Sequence, residues 1–329
     1  MQLLVVGCGS IGWRHLTNLR ALNAGTIAAC DASEEVARRA ESHFGIRVHR
    51  RLDDALGAAP DAVLVCTPTH LHVPVAGAAV AAGAHVFVEK PLAASLDGVQ
   101  PLVDRIAERG VTSLVGCNMR FHAGVSHLKA LVDSGDIGTP ILVRAWFGHY
   151  LPNWRPGQDY RTVYSSTAAQ GGGMILEGIH EIDYVRWLTG EVRRVDARAA
   201  HVSALETDAE DTAMVMLSFE SGAFGEIHLD CLRPVKTRGC EVVGTRGTAR
   251  WTSEGKQPEV VRVEVWDQAG QQHRVVHVDE HYDANDMYLA EMRHFLDCVS
   301  GAATPLLDVR DGARVLTLAL EARRACAVS

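Results

Sequence analysis

Through the first 121 residues, short apolar runs alternate with longer segments whose apolar residues recur every three to four positions. The runs at 3–6, 26–30, 47–49, 62–66, 85–88 and 112–116 read as strands buried on both faces. The stretches at 11–22, 34–44, 73–82 and 96–109 carry helical spacing, and Gly110 is placed to end the last one in a left-handed conformation. This alternation predicts βαβ units, and so a parallel sheet with helices on both faces. A linking helix at 123–133 follows, and then the pattern changes. Longer runs at 141–149, 194–202, 212–219, 223–231, 240–244, 260–266 and 274–278 predict an open, mainly antiparallel sheet, with Ser221-Gly222 and Gly270-Gln271 as hairpin turns. Helices over 285–299 and 309–325 close the chain, Asp308 being the expected N-cap of the second.

The fold class is therefore α/β, with a first domain over 1–121 and a second, α+β domain over 122–329, and 329 residues are enough for two cores. In the second sheet Ala213, Val215 and Leu217 alternate with Met214, Met216 and Ser218, which puts apolar groups on both faces. Helices cover one face. The other predicts a homodimer or homotetramer through this sheet, the alternative being a sheet packed wholly within the subunit. A formal charge of -8, a pI near 6.0 and the absence of any basic cluster exclude a nucleic-acid partner. No apolar run approaches the ~20 residues of a membrane helix, and 3–6 is too short for a signal-peptide core, so a soluble cytoplasmic protein is expected. The eight cysteines stand singly without a C-x-x-C pair, which predicts reduced thiols and no metal site.

Chemistry enters with Gly7-Cys8-Gly9-Ser10-Ile11-Gly12, directly behind the first strand and opening the first helix. In G-x-G-x-x-G the first glycine permits the turn, the second admits a pyrophosphate, and the third allows close helix contact, with Ser10 and Ile11 at the helix N-terminus facing the phosphates. Asp31 ends the second strand, where a carboxylate accepts from the adenosine ribose and repels a 2′-phosphate. The six strands thus read as a Rossmann sheet and the cofactor as NAD. NADP stays open through Arg38 and Arg39, with Asp31 then only capping the next helix. Thr67 and Pro68, after the fourth strand, are expected to line the cofactor with His70 near it. Capping or packing the following helix is the alternative for His70 and the preferred reading for His72. Glu89-Lys90-Pro91 closes the fifth strand at the same edge, placing Glu89 by the cofactor and the Lys90 amine where it can hydrogen-bond a reacting oxygen or stabilise a developing alkoxide. A surface ion pair between Lys90 and Glu89 is the bland alternative.

A second cluster runs from Gly171-Gly172-Gly173 to Leu188. Read as one helix, it carries an apolar stripe of Ile175, Ile179 and Ile182, and Glu177, His180 and Tyr184 share the neighbouring face. Asp183 lies one turn from His180 and is placed to orient its imidazole, giving a group able to exchange a proton near neutral pH.

These motifs resemble the Gfo/Idh/MocA oxidoreductases over essentially the whole chain: the glycine loop, Glu89-Lys90-Pro91, and the glycine-rich lead into Glu177-Gly178-Ile179-His180-Glu181-Ile182-Asp183. The resemblance implies an NAD(P)-binding Rossmann domain and a second domain whose open sheet serves oligomerisation. It also implies redox chemistry on a sugar, cyclitol or nucleotide-sugar derivative, with Lys90 and His180 as the catalytic pair. There is one departure. Many relatives carry an aspartate four positions before the histidine, where this chain has Leu176, so Glu177 is expected to supply the carboxylate.

Aromatic residues make up only 6% of the chain, yet Tyr150, Trp154, Tyr160 and Tyr164 gather with Arg155 and Arg161 between the motifs. Aromatic faces suit sugar C–H surfaces and arginine forks suit carboxylate or phosphate, so Tyr150, Trp154, Arg155 and Tyr160 are candidate substrate contacts, a loop anchored by its own aromatics being the equal alternative. Asn118 and Arg120, after the sixth strand, point to the same role, though Arg120 can equally brace a domain interface. The reading is hydride transfer between nicotinamide and a hydroxyl or keto carbon. The rivals are a redox-neutral NAD-dependent glycosidase and a non-catalytic NAD-binding regulator.

Overall fold

Continuous apolar runs bounded by glycine become parallel strands in the first part of the chain, as a sheet buried on both faces requires. In this computed structural model, which describes residues 1–168, 171–256 and 258–326 and Tyr164 by its backbone alone, the elements in order are β1 (Gln2–Val6), α1 (Ser10–Ala21), β2 (Thr26–Cys30), α2 (Glu34–Phe44), β3 (Val48–His49), α3 (Leu52–Leu56), β4 (Ala62–Val65), α4 (His72–Ala81), β5 (His85–Glu89), α5 (Val99–Arg109) and β6 (Ser113–Gly116). The strands pair in the order β3-β2-β1-β4-β5-β6, all parallel. Leu3 and Val5 point into a core shared with Leu16, Leu19, Ala37 and Phe44, while the alternate Leu4, Val63, Val86 and Val88 are equally buried on the other side. Gly110 takes φ +63° at the end of α5, as its position predicts.

The second part continues with α6 (Ala123–Asp133), β7 (Pro140–Gly148), α7 (Met174–Glu177), α8 (Ile179–Thr189), β8 (Val192–Ala200), β9 (Thr212–Phe219), β10 (Phe224–Asp230), β11 (Thr237–Gly244), β12 (Gly247–Gly255), β13 (Glu259–Asp267), β14 (His273–Tyr282), α9 (Asn285–Val299) and α10 (Val309–Cys326). Its eight strands lie in the order β14-β13-β12-β11-β7-β10-β9-β8. Every neighbouring pair is antiparallel except β7 with β10, which run parallel. Strand β12, absent from the sequence reading, fills the gap between the expected runs at 240–244 and 260–266. Ala213, Val215 and Leu217 are buried while Met214 and Met216 are 59% and 61% exposed, the two-faced alternation the sequence shows. On the inner face Trp251 reaches the backbone of α6 at Gly124, where a Cβ would lie 2.0 Å from the indole, so only glycine fits.

Two compact units result. One holds Met1–Cys117 with Tyr288–Leu316, the other Asn118–Met287 with the residues from Thr317 on. The sequence predicts one boundary after 121, whereas the chain passes to the second unit after Cys117 and returns at Tyr288, because Met292 and Phe295 of α9 bury themselves in the first core. Asp308 accepts from the Asp311 N–H at 2.7 Å, capping α10 as expected. All eight cysteines are unbridged and seven are buried. Among the described residues no helix is long and apolar enough to cross a membrane, and no group of three His, Cys, Asp or Glu side chains is arranged to hold a metal ion.

Candidate active site

In the first unit the sheet register brings the two motifs to one edge. Val6 is opposite Val65, and Val65 is opposite Val88, so β1, β4 and β5 end in line. Two strand spacings, about 10 Å, separate the glycine loop from the chain that carries Lys90. The strand order also places β1 beside β4, the switch point where open α/β sheets bind nucleotides.

The loop is shaped by close backbone contact. A Cβ at Gly7, which sits at φ +93°, would lie 2.6 Å from the Cys66 carbonyl oxygen, and one at Gly12 would lie 1.8 Å from the Gly7 oxygen. Gly9 differs, with nothing within 4 Å of where its Cβ would be, which is open space at the N-terminus of α1. Among the described residues no side chain caps that terminus, which leaves the N–H groups around Ser10 and Ile11 available to a ligand. Thr67 Oγ1 is buried without a hydrogen-bond partner among the described residues, and Pro68 and His70 lie exposed beside it. This edge fits a dinucleotide.

Asp31 joins the loop to the next helix. Its Oδ2 accepts from the Cys8 N–H at 2.7 Å and its Oδ1 from the Ser33 N–H at 2.8 Å. The cap of α2 is Ser33, whose side chain accepts from Val36, so Asp31 is not the helix cap. Each carboxylate oxygen retains a second lone pair for a ribose hydroxyl. Arg38 pairs with Glu34, and Arg39 lies over the Trp13 ring at 4.9 Å.

Lys90 follows β5 half-buried, and its bond to Pro91 is cis. Glu89, expected at the cofactor, instead turns inward. It is 7% exposed, its Oε1 lies 2.6 Å from His15 Nε2, and its Oε2 accepts from the Lys90 N–H at 3.1 Å. A carboxylate buried at a strand end is retained when it is paired in this way. Sequence reasoning missed His15, although an imidazole among Gly12, Leu16 and Leu19 on the buried stripe of α1 is a readable signal. His72 packs as expected, and it also bridges two carbonyls, with Nδ1 2.9 Å from Pro91 O and Nε2 2.8 Å from Thr67 O.

In the second unit the expected single helix is broken. Gly178, at φ -85° and ψ 23°, separates α7 from α8, and its backbone passes so close to Leu229 that a Cβ would lie 2.5 Å from that side chain. The break ends the simple face of Glu177, His180 and Tyr184. Tyr184 is fully buried, its hydroxyl 3.4 Å from the Gly239 carbonyl and its ring edge-on to Trp251, making it a core residue rather than a neighbour of the chemistry. His180 is 7% exposed at the start of α8. The residues after it fasten the helix: Glu181 takes Arg238 Nε at 2.6 Å, and Asp183 takes Arg120 through Nη2 at 2.7 Å and Nε at 3.0 Å. Asp183 and Arg120 are 0% and 3% exposed, and the guanidinium also stacks on Trp187 at 5.0 Å. The Asp183 carboxylate, expected to orient His180, and the Arg120 fork, expected at substrate, are thus joined to each other.

Glu177 accepts from Ser165 Oγ at 2.8 Å. Ser165 lines a small pocket with Leu151, Trp154, Arg155, Tyr160 and Val163, which brings the acid and the aromatic loop together. The loop also anchors itself, Trp154 Nε1 donating to the His149 carbonyl at 2.8 Å and the Tyr160 hydroxyl accepting from the Glu206 N–H at 3.1 Å. Burial pushes the His149 imidazole down to about 4, with Lys256 and Lys236 acting in the same direction. Tyr150 is 37% exposed, and Asn118 Oδ1 is buried without a partner among the described residues. The Tyr164 side chain lies outside the described residues.

Comparison with known proteins agrees with this arrangement. Residues 1–117 match the model of an oxidoreductase family with an NAD-binding Rossmann fold, and residues 125–250 match the GFO/IDH/MocA C-terminal domain. The chain is 30% identical to a myo-inositol 2-dehydrogenase of Thermotoga maritima, over 98% of this chain and 96% of that protein. It is 31% identical to inositol 2-dehydrogenase 3 of Saccharopolyspora erythraea, over 91% of this chain and 85% of that one. The solved structure of GenD2 from gentamicin A biosynthesis, in complex with NAD, superposes with a TM-score of 0.82 at 27% identity, covering 99% of this chain and 94% of that one. With both parts of the chain matched, the protein belongs to the Gfo/Idh/MocA family of NAD-dependent oxidoreductases that act on CH–OH groups.

Proposed function

We propose that the protein interconverts a secondary alcohol and a ketone on a cyclitol or sugar derivative, with Lys90 and His180 as the groups that handle the reacting oxygen and its proton. The observation that carries this reading is the placement of Lys90 at the same sheet edge as the glycine loop, in line with β1 and β4. The inositol 2-dehydrogenase relatives support a cyclitol as the first substrate to try. The first unit binds the cofactor through Gly7, Gly9, Ser10, Ile11, Gly12, Asp31, Thr67, Pro68 and His70. The second binds the substrate.

NAD bound at this edge supplies a hydride acceptor. The Lys90 ammonium donates a hydrogen bond to the substrate oxygen and holds the negative charge that grows there as its proton leaves. His180 takes that proton, and in reduction both roles reverse. Glu177, held by Ser165, supports the histidine from the preceding turn. Asn118, Tyr150, Trp154, Arg155 and Tyr160 contact the substrate. Arg120 and Asp183 act from behind, by fixing α8.

The outer face of the large sheet, where Leu142, Met214, Met216 and Phe224 are exposed on neighbouring strands, suits a homodimer or homotetramer. Phe224→Asp should shift the light-scattering mass towards the monomer; an unchanged mass removes this face from the interface. Unbridged thiols suit the reducing cytoplasm. The decisive experiment is NADH formation with a panel of cyclitols, uronic acids and nucleotide sugars, on wild type and Lys90→Ala. The variant should lose turnover by about 10²–10³-fold and keep its NAD affinity. Wild-type turnover in the variant rejects the assignment of Lys90.

A further inference from the structure

His72 has no part in the chemistry above, yet its surroundings are those of a built site. It opens α4, is 1% exposed, and presents its ring edge-on to two backbone carbonyls from separate segments. One is Thr67 O, just past β4 and 2.8 Å from Nε2; the other is Pro91 O, just past Lys90 and 2.9 Å from Nδ1. The neutral ring donates to one of them, and an apolar side chain of the same volume would leave that carbonyl without its partner. Packing alone therefore does not account for an imidazole here. The ring is rigid, so the separation of its two nitrogens fixes the gap between the turn that lines the nucleotide edge and the turn that carries the lysine.

We propose that His72 is a positioning residue for Lys90, clamping the Lys90-Pro91 turn to the Thr67 turn so that the amine is held where the reaction needs it. This rests on the assignment of Lys90 given above. On the other side of the turn, Glu89 holds the Lys90 N–H and is itself held by His15, so the lysine backbone is braced from two directions. Burial holds the His72 imidazole below the ordinary histidine value, against the Pro91 and Thr67 carbonyls and the facing Glu89, which favour its charged form. The neutral ring donates to one carbonyl, and a proton gained at lower pH adds the second bond.

The chain has only four lysines, Lys90, Lys129, Lys236 and Lys256, which makes a direct test practical. Lysines of the full-length protein are reductively methylated with a carbon-13 label, and the Lys90 resonance is identified by its loss in Lys90→Arg. In His72→Ala that resonance alone should shift or broaden, while the other three stay in place and NAD titration shows the site still formed. In His72→Gln, which keeps one N–H, the displacement should be smaller. With a substrate from the panel, kcat of His72→Ala should fall about 10²-fold, the loss expected of a reacting group misplaced by about 1 Å, and NAD affinity should change little. An unmoved Lys90 resonance in either variant overturns the clamp. Should His72→Ala not fold, His72→Gln decides by the same measurement. Should neither fold, an exchange-protected ring N–H of His72 in the wild-type protein upholds the clamp and a freely exchanging one overturns it. Lys90→Ala separates the two ideas. If it is inactive while the His72 variants are normal, only the clamp fails, and if it is active both readings fall.

Discussion

The Arg120–Asp183 pair offers the sharpest quantitative test, because its two charges are fully desolvated and come from residues 63 apart in sequence. The contact is bidentate at 2.7 and 3.0 Å, with the Trp187 ring over the guanidinium. Removing one partner strands a buried charge, which costs about 3–5 kcal/mol, whereas replacing both with apolar groups of similar volume is often close to neutral. Arg120→Met and Asp183→Leu should each therefore lose about 3–5 kcal/mol, and the double variant that combines them should lose about 1 kcal/mol or less. Five of the six tryptophans lie in the second unit, so urea unfolding followed by tryptophan fluorescence in a Trp13→Phe background reports on that unit alone. This matters because two units need not unfold as one transition. The reasoning is refuted if either single variant loses under about 1 kcal/mol, the range of an exposed pair, or if the double variant loses the sum of the singles. Near-complete cancellation in the double variant is the signature of desolvated charge, and packing loss does not mimic it.

Two further outcomes follow from close contacts and charge. Gly12→Ala should abolish NAD binding, since the new methyl would sit 1.8 Å from the Gly7 oxygen and the loop must open to admit it; calorimetric titration with NAD showing wild-type affinity would contradict this. The second concerns acid stability. Burial alone would raise the Glu259 carboxyl, but His122, Lys236 and Ser253 overcome it and hold the group down at about 2. A depressed carboxyl stabilises the fold above its unfolded value, ordinarily near 4.5, and that contribution disappears as pH falls towards 2. Lys236→Met should thus raise the pH midpoint of acid unfolding, seen by circular dichroism between about pH 5 and 2, and an unchanged midpoint would exclude this cluster as a source of acid stability.

Local signals made the first unit readable. Its strands are continuous apolar runs and its loop is a fixed spacing of glycines; in the second unit the hairpins at Gly222 and Gly270 are equally legible, since both positions take positive φ, +88° and +67°, which calls for glycine. Strand β12 escaped because its inward residues include Ala249 and Ser253 as well as Trp251, while Thr248, Arg250 and Thr252 lie between them, so the apolar alternation is weak. The Gly178 break escaped for another reason. A glycine inside a helical pattern costs only about 1 kcal/mol, and the Leu229 side chain that forbids a larger residue lies 51 positions away on β10. The partners of Asp183 and Glu181 were hidden in the same way, since Arg120 and Arg238 lie 63 and 57 positions away and meet α8 only in the folded unit. Nor does anything local in Met292 and Phe295 say which of two cores they will enter.

The parallel pairing of β7 with β10 has a consequence for synthesis. Strand β7 occupies the middle of the eight-stranded sheet, yet neither of its neighbours follows it directly: β10 begins 224 − 148 = 76 residues after β7 ends, and β11 comes later still. At about 5–20 residues per second, a nascent chain would carry this central strand unpaired for roughly 4–15 s. Pairing can therefore begin at the β8–β9 edge while the central strand waits, and the emerging polypeptide is most in need of a chaperone's shelter just before Phe224 leaves the ribosome.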